Sequence, residues 1–145
     1  MRLSSVLELE PDNHRVHVWR ARTHIAARRF DEALSAIQDS IQRLGRYPML
    51  LEQLGRALAS VGRGEEAEAV IAELRDRGTR ERVSPWHEGW ILAALGRLDQ
   101  WHGILERLVR ERSARLAFFR AEPTFDLVRA DPRVQTLFRG AGLMD

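Results

Sequence analysis

His14, His17 and His24 fall within one short stretch, and clustered imidazoles are the first pattern in this sequence that could hold a metal ion. Their spacing argues against it. On a helix His17 and His24 stand about two turns apart, roughly 10 Å along the axis, too far to share one ion. His87 is followed by Glu88, but the second histidine of a zinc-protease helix is missing, because position 91 is Ile91. There is no cysteine, which removes thiolate nucleophiles, disulfides and Cys-based metal sites. Ser84 and Ser113 stand at expected helix starts, where a serine caps, and no GxSxG elbow exists. Neither a glycine-rich phosphate loop nor a kinase catalytic-loop pattern occurs. The residue types predict a non-catalytic chain with no metal and no cofactor.

The arginines and tryptophans carry a different chemistry. Arg22, Arg56 and Trp90 are spaced by 34 residues, and Trp86 precedes Trp90 by one helical turn. Two guanidinium groups at equivalent positions can hold a carboxylate through bidentate hydrogen bonds. Two indoles one turn apart make an aromatic anchor. The competing reading pairs the arginines with local acids such as Glu52 and packs Trp90 against the C-terminal segment.

A pI of about 10.2 suggests a polyanion partner, yet the formal net charge is only +2. All 23 basic residues are arginine, and there is no lysine. Almost nothing titrates between histidine and guanidinium, so the small positive excess persists to high pH. The pI thus reports missing buffering groups. Nucleic-acid binding requires clustered positive charge and is the weaker reading.

The elements that must position these side chains repeat. The series Arg28, Gly62, Gly96 steps by 34, and so do Ala21, Gly55, Gly89 and Ala33, Ala67, Trp101. Each unit reads as two helices: 14–27 with 31–44, 48–61 with 65–77, and 84–95 with 99–112. Gly45, Gly62, Gly78 and Gly96 suit helix ends, and Asp31 and Asp99 sit where N-caps are wanted. Pro48 and Pro85 fit first turns. The small residues at the recurring positions allow helices to approach closely, and Trp101 is expected to splay or re-aim the third pair.

The unit length, the small residue in mid-first-helix and the segments "FDEA" and "GEEA" resemble the tetratricopeptide repeat (TPR) family, over about residues 14–112. That resemblance implies an all-α fold, a right-handed superhelical stack of helix-turn-helix repeats with a C-terminal helical cap. The expected divisions are a partial repeat helix over 1–12, repeats over 13–46, 47–80 and 81–112, and capping helices over 113–145. Asp131 and Pro132 read as the cap and first residue of a last helix with Val134, Leu137 and Phe138 inward. The segment "VSPWHEGWILAALGRLDQ" and the tail after it look like the end of TPR arrays in bacterial signalling proteins, where the array follows an effector domain.

In such arrays the first helices line a concave groove that binds a peptide or helical segment of a protein partner. By the register, Val18, Arg22, Glu52, Arg56, Trp86 and Trp90 lie on that face. The implied function is a non-catalytic protein–protein interaction scaffold of a larger bacterial regulatory protein. Homo-oligomerisation is the alternative, through the apolar Leu3, Val6 and Leu7 of the half-repeat, and Arg-mediated nucleic-acid binding is the weaker one. No apolar run is long enough to span a bilayer and no export signal opens the chain, so the expected compartment is the cytoplasm.

Overall fold

The fold is a computed structural model in which the described residues are 13–111, 130–140 and 142. The partial helix expected over 1–12 and the tail over 113–129 lie outside them. Among the described residues there are seven helices and no strand: α1 (His14–Ala26), α2 (Phe30–Leu44), α3 (Pro48–Ser60), α4 (Gly64–Gly78), α5 (Pro85–Ala94), α6 (Leu98–Arg110) and α7 (Pro132–Gly140). None is long and apolar enough to cross a membrane.

The turns inside the hairpins are equivalent hydrogen bond for hydrogen bond. Arg28, Gly62 and Gly96 all have positive φ, at 60°, 82° and 76°. The next residue in each turn, Arg29, Arg63 or Arg97, donates its N–H to the carbonyl five back, that of His24, Leu58 or Leu92. This left-handed closure satisfies carbonyls that the helix end leaves open. Each of these arginines then accepts the first amide bond of the following helix, from Ala33, Ala67 or Trp101. Hence α2, α4 and α6 begin one residue earlier than the sequence suggests. Asp31 and Asp99 are not N-caps: they lie inside the first turn, where a carboxylate meets the positive end of the helix dipole. Gly78 ends α4 without a left-handed turn.

Side-chain caps occur elsewhere. Asn13 Oδ1 accepts from Arg15 N at 3.1 Å and Val16 N at 3.4 Å, opening α1. Ser84 Oγ accepts from Trp86 N at 3.2 Å, and Pro85 follows it in the first turn of α5. Asp131 accepts from Arg133 N at 2.9 Å, and Pro132 opens α7.

Helices pair as α1 with α2, α3 with α4 and α5 with α6, and the hairpins then stack in chain order. The first helix of each hairpin touches the next first helix, α1 to α3 and α3 to α5, while α2 packs on α3 and α4 on α5. One apolar core runs from Ala21 to Phe138. Its spacing depends on missing side chains. A Cβ on Gly55 would meet the Ile91 side chain of α5, with Cγ2 at 2.9 Å, so this glycine sets the approach of successive hairpins. A Cβ on Gly89 would lie 2.9 Å from Ile104 Cγ2 and 3.9 Å from Trp101 Cδ1. Gly89 therefore makes the room that Ile104 of α6 needs, while the Trp101 ring lies at ordinary van der Waals distance. Trp101 is buried, and α6 packs on α5.

A polar contact also ties α1 to α2. Ser40 Oγ donates its proton to Ala36 O at 2.8 Å, so at 2.6 Å from His17 Nδ1 it acts as acceptor. His17 therefore carries its proton on Nδ1.

Candidate functional site

The expected groove residues converge, but below the surface. Glu52 and Arg56 stand one turn apart on α3, and Trp86 and Trp90 one turn apart on α5, because 3.6 residues per turn puts i and i+4 on one side. The α3–α5 contact brings the two pairs together. Their relative exposures are 4%, 1%, 6% and 1%, so none of the four presents an open face. Val18 is buried in α1, and Arg22 is the half-buried member of the set.

Glu52 is the hub. Its Oε2 lies 2.7 Å from Arg56 Nη2 and accepts from Gln53 Nε2 at 2.9 Å. Its Oε1 lies 2.9 Å from His87 Nδ1. An ionised carboxylate has no proton to give, so His87 Nδ1 is the donor. Burial pushes the Glu52 pKa up, but the Arg56 charge, the His87 hydrogen bond and field, and the Arg22 charge outweigh it, holding it below its ordinary value. The Arg56 guanidinium carbon sits 5.2 Å from the centre of the Trp90 ring, within cation–π range. Trp90 meets Trp86 edge to face at 5.4 Å and Trp101 at 5.7 Å with a 55° tilt. Arg22 lies with its guanidinium carbon 5.0 Å from the Trp19 ring centre.

A carboxylate-oriented imidazole can serve as a general base when its other nitrogen is approachable and a nucleophile stands beside it. His87 is buried, and no hydroxyl among the described residues bonds to it. What the arrangement does is join two hairpins: Glu52 is on α3 and His87 on α5, with charge, donor and acceptor matched. Arg56, offered by the sequence as a carboxylate holder, holds the chain's own Glu52, the local pairing given as the competing reading. The arrangement also recruits residues that sequence reasoning passed over. His87 and Gln53 were not placed here, and Trp101 was placed only as a wedge. The pairing of Glu52 with His87 spans 35 positions, one off the 34-residue step, so aligning equivalent positions does not find it.

Elsewhere, a cleft of about 580 Å³ opens between α6 and α7, lined by Val109, Pro132 and Leu137 with His102, Glu106 and Arg133. Arg110 lines it as well; His102 Nδ1 lies 2.9 Å from Glu106, and Arg133 binds Asp131 and Asp99. Among the described residues no group of three or more histidine, aspartate or glutamate side chains is arranged to hold a metal ion. No known protein family, curated protein or solved structure matches the chain.

Proposed function

We propose that this chain is a non-catalytic interaction scaffold of the tetratricopeptide kind. Its hairpins form a right-handed superhelical array within a cytoplasmic bacterial regulatory protein, and its first helices form the face that receives a peptide or helical segment of a partner. The observation that carries this reading is the continuous layer of first helices, α1 against α3 against α5, closed at each hairpin by the same left-handed turn. In this reading Glu52, Arg56, Trp86 and Trp90 form the floor that fixes the spacing of the layer, and Val18 is buried within α1. Arg22 stands at the edge where a partner arrives.

The test is site-specific photo-crosslinking in cells of origin, with the crosslinker at position 22 and, as control, at the loop residue Arg82. A discrete protein captured from position 22 and not from 82 supports the scaffold. Equal labelling at both positions, or none at 22, removes it. If the captured peptide comes from a second copy of this chain, the alternative of homo-oligomerisation takes its place.

A further inference from the structure

Charge is unevenly distributed along this chain. Residues 14–29, which make up α1 and its turn, hold five arginines and no acidic residue, while the other 18 arginines face 21 acids. Of the five, Arg29 meets Glu32 of the next helix at 3.5 Å, and the charge of Arg22 acts on the buried Glu52. The local field is felt by His24: burial first, then the charges of Arg29 and Arg20, hold its imidazole below the ordinary value against the pull of Glu32.

The same helix exposes an indole. Trp19 is 58% exposed, in a protein whose other tryptophans described here, Trp86, Trp90 and Trp101, are buried. Arg15, Trp19, Thr23 and Ala26 are all exposed and recur at helical spacing, opposite the core-facing Val18, Ala21 and Ile25. They form a strip about 16 Å long at 1.5 Å per residue. Thr23 turns its hydroxyl back to Trp19 O at 2.8 Å, so that donor is not left over on the strip.

We propose that this strip of α1 docks an acidic segment of a protein partner, with Trp19 as the anchor, and Arg15 on the strip and the half-exposed Arg20 on its flank as the carboxylate contacts. The claim rests on the scaffold reading and adds the partner's chemistry to it. Charge complementarity selects an acidic occupant, since guanidinium groups pair with carboxylates in bidentate fashion and a neighbouring indole adds apolar contact. A nucleic-acid strand fits less well. Strand binders offer successive aromatic platforms along a groove, whereas α1 offers one exposed indole, already stacked by Arg22.

The full chain is titrated into a fluorescein-labelled acidic peptide of about a dozen residues, long enough as a helix to cover the strip, and into a single-stranded oligo-dT of equal charge. The expected result is saturable peptide binding that weakens with salt. The triple variant Trp19→Ala, Arg15→Glu, Arg20→Glu should bind at least about tenfold more weakly. Circular dichroism and melting of the variant should match the parent, because all three side chains are at least partly exposed. The proposal falls if the peptide fails to saturate, if the triple variant binds equally well, or if oligo-dT binds more tightly than the peptide. It falls in favour of a second copy if light scattering shows self-association that Trp19→Ala abolishes. Protein capture at position 22 without peptide binding would leave the scaffold standing and remove this inference alone.

Discussion

Glu52 shows how a residue read as part of a binding face can instead hold the frame. It is a buried carboxylate with a guanidinium on one oxygen and an imidazole N–H on the other. Replacing it by Gln keeps the shape and removes the charge, leaving Arg56 buried without its counter-ion. Breaking a buried pair from one side costs about 3–5 kcal/mol, so Glu52→Gln is expected to lower the urea midpoint markedly at neutral pH. The pH dependence has a definite sign. The folded pKa lies below the ordinary 4.5, so the carboxylate's stabilisation is fully present above 4.5 and lost as pH falls through the lower folded value. The gap between parent and variant should therefore be widest at neutral pH and narrow in acid; a gap constant down to strong acid would show that the charge is not what matters. The sequence exposed the types and the 34-residue equivalence of Arg56 and Trp90. It did not expose burial, because position in a repeat says which face a side chain shares and not what covers that face.

At the scale of elements, the helices were legible nearly to the residue, because glycine, proline and apolar spacing act locally. What was not legible was which cap operates. Asp31 and Asp99 satisfy the usual preference for an N-cap, yet an arginine precedes each helix: of the three residues between the helices the first is the C-cap and the second takes the left-handed turn, so the third, Arg29 or Arg97, is the N-cap. The glycines separate accordingly. Gly62 and Gly96 hold positive φ, with nothing within 4 Å of a Cβ, so the cost of adding one is conformational alone. Gly62→Ala and Gly96→Ala are each expected to destabilise by about 1–2 kcal/mol. Gly78 is also open but helical, and Gly78→Ala should stabilise by up to about 1 kcal/mol. Thermal melts of the three variants check this; Gly78→Ala melting below Gly62→Ala would show that the turn is not where the constraint lies. Arg28, with φ 60°, shows that the same turn is tolerated without glycine.

The described helices form a chain of neighbours: each hairpin packs on the next, and α7 packs on α6. In such an arrangement stability spreads through adjacent interfaces, so an end can open while the rest stays folded. The inward residues of α7 were legible in part, since Val134 and Phe138 are buried at 1% exposure each while Leu137 is only partly so. Phe138 is the larger of the two buried anchors, and truncating a buried Phe typically costs about 3–5 kcal/mol. Phe138→Ala should therefore accelerate amide exchange first in α7 and α6, next in α5, and least in α1 and α2. Hydrogen exchange read by mass spectrometry distinguishes this from its opposite. A uniform rise across all helices would mean that the single core from Ala21 to Phe138 opens as one unit, and that the stacking of hairpins describes the shape but not the energetics. A gradient from the C-terminal end would place the cooperative boundary between hairpins, where the Glu52–His87 contact crosses from α3 to α5. Combining Phe138→Ala with Glu52→Gln should then extend fast exchange past that boundary into α3 and α4, more than the sum of the two single variants, because the second substitution removes what stops the opening begun by the first.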